Sequence, residues 1–190
     1  RSRGMQIPDP EFAESTLLHL SYYRFSGYAL VYEVFEDGHR THRFRPGTTF
    51  NQVLCLYEFD SCLRALLFRY IEPVEIAFRT ALCYEMAVRT QDPHWHLDRS
   101  QYQRGFDFAR YYQTWERECR KSEEIFVQSY YAHYVEPSLP PAWMMTEILS
   151  MGVWSRIYQN LADAEARKAI AQHFMLKPYY LESWIHILTV

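Results

Sequence analysis

Five charged residues in one long segment have the types and spacing for ion-pair chemistry: Asp60, Arg64, Glu72, Glu75 and Arg79. Asp60/Arg64 and Glu75/Arg79 are acid-before-base pairs four residues apart, the order a helix favours. At about 100° per residue all five fall within roughly a third of a turn. They lie beside an apolar stripe of Leu63, Leu67, Tyr70, Val74, Phe78 and Ala81 that is expected to face the core. Glu58 and Arg69 sit opposite, toward solvent. A solvated salt-bridge edge is the ordinary meaning of such an arc, worth about 0.3–0.5 kcal/mol per pair. The sharper meaning is an arc covered by another helix. Charges there must be paired or they cost several kcal/mol. Such a cluster would position a catalytic or RNA-binding group, with Asp60 and Arg64 as its RNA-binding or structural members.

Other reactive residue types carry less. His94-Trp95-His96 and His39-x-x-His42 resemble metal ligands, but no carboxylate or cysteine set completes either at standard spacing. Neither a metal nor a cofactor is called for. Serine-hydrolase, P-loop and dinucleotide motifs are missing from the sequence. Arg89/His94 and Arg167/His173 have Arg-x(4–6)-His spacing, but 17 Arg and 8 His give about two such coincidences by chance. The abundant Tyr and Trp would suit base stacking. At helical spacing, as in Tyr111, Tyr112 and Trp115, they read first as core.

Helices must position these groups. Residues 10–25 form a short helix that ends at Ser26-Gly27. Residues 28–35 fit helix or strand, and the turns Glu36-Asp37-Gly38 and Pro46-Gly47 allow a small hairpin near residues 30–45. Thr48 or Thr49 caps a helical stretch from Phe50 to about Arg89, which Pro73 should kink or split. Beyond Gln91-Asp92-Pro93 come helices at 105–120 and 122–135, the second capped by Ser122, and a rigid linker at 136–141. A helix over 142–160 interrupted by Gly152, one over 164–174 capped by Asp163, and one from Pro178 complete the chain. The class is all-α: a single domain over 1–190, with an N-terminal lobe of about 1–92 and a C-terminal lobe of about 93–190.

The totals set bounds. With 190 residues, 48% of them hydrophobic, the chain can bury a core. A net charge of −3 excludes a uniformly basic coat but not a local basic patch. Lys occurs only at 121, 168 and 177, so the positive charge is arginine, which suits buried ion pairs and phosphate clamps. Cys55, Cys62, Cys83 and Cys119 form no Cys-x-x-Cys pair, and three of them sit at apolar helical positions as small core residues. No signal peptide and no 18-residue apolar run appears, so a reducing cytoplasm is expected and a membrane partner is not. Arg1-Ser2-Arg3-Gly4-Met5 does not read as a native start, and the chain stops at Val190 as if within a helix, so truncation at both ends is expected.

Five strings, in order, resemble the Abi family of bacterial abortive-infection proteins (AbiD/AbiF-like). They are residues 20–28 (Leu-Ser-Tyr-Tyr-Arg-Phe-Ser-Gly-Tyr), Thr48-Thr49-Phe50 with 56–64, 71–80 around Glu72-Pro73-Val74-Glu75, Leu139–Trp143 with Glu147–Gly152, and Ser183-Trp184. The resemblance implies a HEPN-related helical bundle, a homodimer, and RNA as partner, non-coding RNA included, with an antitoxin as a further one. It implies a metal-independent ribonuclease whose Arg-x(4–6)-His motif directly follows a Ser-Trp helix. That motif would begin just beyond residue 190, so no catalytic residue is expected in this chain, which should be inactive as it stands. Glu72, Glu75 and Arg79 match the family's acidic and basic helix and would support the active site. The alternative is a non-catalytic helical module that binds RNA or protein.

Overall fold

The computed structural model describes residues 3–189. It divides into two compact units, residues 1–70 and 71–190. The division falls inside the longest helix, not at the Gln91–Pro93 turn.

The first unit opens with α1 (Pro10–Leu20), whose first turn holds Pro10 and is capped by Asp9 accepting from the Phe12 N–H at 2.9 Å. The break expected at Ser26-Gly27 lies instead at Ser21, where φ is 69° and the N–H closes onto Leu17 O. The second helix, α2 (Tyr22–Ala29), runs through Gly27. A lone glycine in a helix costs about 1 kcal/mol; a residue with positive φ ends one.

Strands β1 (Glu33–Glu36) and β2 (His39–Phe44) pair antiparallel. Asp37 and Gly38 both have positive φ, the geometry a two-residue hairpin demands. Glu33 is 1% exposed and paired with Arg3. Phe25 stacks on Phe50 at 4.5 Å within a small core that also holds Ala13, Ala29 and Val53.

Helix α3 (Phe50–Thr90) starts with a reciprocal cap. Thr49 Oγ accepts from the Gln52 N–H at 3.2 Å, and Gln52 Oε1 accepts from the Thr49 N–H at 2.9 Å. Pro73 leaves the helix unsplit. The expected core stripe is largely outside the core. Leu63, Leu67, Tyr70 and Val74 are 40%, 51%, 65% and 36% exposed, and burial begins only at Phe78. Periodicity identifies the apolar face of a helix, not whether the chain supplies something to cover it.

The second unit carries the larger core. Phe78, Leu82 and Met86, one turn apart on α3, share a cluster with residues of α4 (Phe108–Lys121), α6 (Ala142–Ile148), α7 (Met151–Gln159), α8 (Ala164–Gln172) and α9 (Pro178–Leu188), while α5 (Ile125–His133) buries Val127 and Tyr130 apart from it. Asp163 caps α8 through the Glu165 and Ala166 amides, and Pro178 opens α9. Ser122 lies outside α5, whose cap position is Glu124. The 142–160 helix breaks at Leu149-Ser150 rather than Gly152, because Ser150 takes an extended backbone while Gly152 stays helical. Trp95, Trp115 and Trp154 are fully buried, each removing about 150–250 Å² from water. Trp143 and Trp184 are exposed. Cys83 and Cys119 are buried core residues, and burial raises their thiols to about 12 and about 11. Cys55 and Cys62 are exposed, so two cysteines rather than three serve the core.

His96 sits among these tryptophans, 1% exposed, with neither ring nitrogen hydrogen-bonded among the described residues. Desolvation, with His94 adding to it, pushes its pKa from 6.5 to about 3. Between those values the unfolded chain binds a proton that the folded chain refuses. Its contribution is therefore intact above about pH 6.5 and falls by about 1.4 kcal/mol per unit toward pH 3. His96→Phe should be at least as stable at pH 7 and should lose that part of the acid sensitivity. Urea midpoints measured from pH 7 to pH 4 check this; parallel curves for both proteins would refute it.

Candidate functional site

The charged arc separates into two clusters, one in each unit. In the first unit Asp60 pairs with Arg64, and the Tyr28 hydroxyl joins them. Tyr28 donates to Asp60 and accepts from Arg64 Nη1 at 3.0 Å, while its ring meets Tyr57 edge-on at 5.3 Å. The Arg64 and Asp60 side chains are 44% and 35% exposed, so this cluster is a solvated ion pair with an aromatic brace.

In the second unit Glu75 pairs with Arg79, and here both side chains are more enclosed, at 29% and 18%. Arg79 Nη1 donates to the Thr146 carbonyl at 2.7 Å. Thr146 lies in the last turn of α6, where carbonyls lack helical partners and the helix dipole is negative. One guanidinium therefore answers both a carboxylate on its own helix and the end of a neighbouring one. Burial lowers its pKa, and the charge of Glu147 works against that shift. Its Nε is buried with no hydrogen-bond partner among the described residues. Glu72 is exposed and stands apart from this contact.

The remaining sequence candidates have local roles. Arg89 faces Glu85 and Asp163 at 3.7 and 3.6 Å, and His173 meets the same Glu85 at 2.9 Å. His39 and His42 lie on β2, His42 3.8 Å from Glu33.

Sequence reasoning passed over a polar groove in the second unit. It has a volume of about 620 Å³ and runs between the start of α4 and the end of α7. Arg110, Arg117 and Arg156 line it, with Thr114, Asn160 and Tyr111. Arg110 and Arg117 are seven apart, and so share a face of α4. That spacing is visible in sequence. The approach of Arg156 is not.

Among the described residues no helix is long and apolar enough to cross a membrane. The family model described as Abi-like protein matches residues 15–190. No curated protein and no solved structure matches the chain.

Arg79→Ala should destabilise the protein by about 2–3 kcal/mol, because it strands the Thr146 carbonyl and the Glu75 carboxylate together. Asp60→Ala and Arg64→Ala should each cost less than about 1 kcal/mol. Urea denaturation ranks the three; equal losses would mean that the two clusters are equally solvated.

Proposed function

Because the chain belongs to the Abi-like protein family, whose name points to abortive infection as a phage defence, we propose that it is an effector of that response acting on RNA through a HEPN-like helical domain. The observation that carries this reading is the family match over almost the whole chain. The mostly helical fold with a single small hairpin among the described residues agrees with it.

The chemistry is metal-independent RNA cleavage. A ribose 2′-oxygen attacks the adjacent phosphorus and its proton passes to a histidine. The bond to the 5′-oxygen breaks, and that oxygen takes a proton from an acid. An arginine offsets charge on the phosphorane. The resemblance puts the reacting Arg and His after residue 190. Within this chain Glu75 and Arg79 are then positioning residues. Arg79, fixed by Glu75 and Thr146, holds α3 and the end of α6 in place, while Glu72, exposed one turn before Glu75, adds a charge to the same helix. Asp60, Arg64 and Tyr28 form a separate brace that serves structure or RNA contact.

Two copies form the working unit. The exposed Leu63, Leu67 and Tyr70 supply an apolar seam for a second copy. An RNA, a non-coding one included, or an antitoxin protein restrains the effector between infections.

A second reading keeps the surfaces without the chemistry, as a module that binds RNA or protein. The full-length gene product, expressed during phage infection, separates the two. Cleavage predicts new RNA ends with 2′,3′-cyclic phosphates and 5′-hydroxyls, reduced about 100-fold by Arg79→Ala, since small misplacements cost that much. RNA binding and phage protection without new ends would favour the module. Neither RNA binding nor protection would end both. Leu67→Glu should turn a dimer into a monomer by light scattering while leaving the melting temperature nearly unchanged; a wild type that is already monomeric at high concentration would refute the seam.

A further inference from the structure

We infer that the groove between α4 and α7 is a phosphate track for an RNA strand, with Arg110, Arg117 and Arg156 as its anchors. The inference rests on the RNA reading above and assigns it a surface.

The first support is how these arginines are paired. Arg64, Arg79, Arg89 and Arg120 each meet a carboxylate four residues earlier on the same helix. Arg110 and Arg156 do not. Their neighbours at that spacing are Phe106 and Thr114, and Gly152 and Asn160. Among the described residues neither meets a carboxylate; Arg156 Nη1 donates to Gln159 at 2.8 Å. Among the described residues Arg117 pairs with the adjacent Glu118, at 3.1 Å, and its side chain is 59% exposed. A chain of net charge −3 thus gathers three guanidinium groups with little neutralisation around one concavity.

The second support is the rest of the lining. The acid in the groove, Asp107, accepts from the Arg110 backbone N–H at 3.2 Å as the cap of α4. Thr114 and Asn160 add neutral polar groups, and half-buried Tyr111 offers part of a ring face. Guanidinium groups bind phosphate oxygens two at a time, and a ring face accepts any base. Arg110 and Arg117 are about 10 Å apart along α4, so they would engage different phosphates. Arg156 also borders a smaller pocket of about 160 Å³ toward α9, but the Glu182 carboxylate lines it, accepting from Gln159 at 2.9 Å, so the track ends at Arg156.

The test is fluorescence anisotropy of the full-length protein with a short labelled RNA, repeated over a range of salt. Arg110→Gln, Arg117→Gln and Arg156→Gln should each weaken binding several-fold and flatten the log–log salt slope by about 1. The triple variant should lose about 100-fold or more, and Arg→Lys at the same sites should keep most of the slope. Arg40→Gln/Arg43→Gln, on the exposed hairpin, should bind as the wild type does. All of these side chains are exposed, so the variants should keep the wild-type circular dichroism. A triple variant with wild-type affinity and slope would overturn the track while leaving the RNA reading intact. A wild type that binds no RNA would overturn both. Heparin bound as tightly as RNA, and lost equally in the triple variant, would overturn the assignment to RNA.

Discussion

A guanidinium caught between a carboxylate and a helix end sets the working geometry of the second unit. Arg79 follows Phe78, whose ring is fully buried edge-on against Tyr158 at 5.6 Å. The apolar residue fixes the rotation of α3, so the next side chain has one direction in which to reach. What it reaches is the Thr146 carbonyl of α6. α6 ends two residues later, because Leu149 and Ser150 turn extended before α7 begins. The last carbonyls of a helix lack partners within it and carry the negative end of its dipole, so an arginine placed there satisfies a group that would otherwise need water. The break between α6 and α7, the cap, and the ion pair to Glu75 are thus one arrangement.

Three uses of arginine stand out among the described residues. Some are held by an acid one turn back, as Arg64 and Arg120 are. Others clamp backbone carbonyls: Arg79 at Thr146, and Arg99 at Tyr102, Gln103 and Arg104. The third kind, in the α4–α7 groove, faces solvent with few partners. The first use is local and adds little stability. The second shapes a loop at Arg99 and ties distant segments together at Arg79. The third leaves charge for something outside the chain. Net charge, at −3, conceals this division, because it sums over positions that do different work.

Much of the local structure was legible because it is set by residues next to one another. Asp37-Gly38 made the hairpin turn, Asp163 capped α8, Pro178 opened α9, and Thr49 capped α3 with help from Gln52. The misplaced breaks share one cause. Gly27 and Gly152 look like interruptions but sit quietly in helices, whereas Ser21 and Ser150, just before those helices begin, take non-helical backbone. Glycine permits an irregular backbone without requiring it. A serine can take the same role when tertiary packing fixes the turn. The apolar stripe failed differently. Leu63, Leu67 and Tyr70 have the right period, yet burial needs a second surface, and the sequence does not state whether this chain provides it.

The charged arc shows how far a helical wheel can be trusted. It placed Glu75 and Arg79 correctly as a pair and placed Asp60 and Arg64 beside them as equals. The structure makes the pairs unequal: one is roughly a third to a half exposed with a tyrosine brace, the other enclosed and spent partly on a carbonyl 67 residues away. A wheel knows angle but not cover. Cover decides whether an ion pair is a surface ornament or a fixed point, because screening weakens the first and leaves the second largely intact. The same limit explains why the α4–α7 groove escaped notice. Arg110 and Arg117 announce a basic face on α4, but that face becomes a concavity only when α7 brings Arg156 across from another part of the chain. Family membership points to abortive infection, while the surface that serves it has to be argued from geometry, since related folds carry unlike functions.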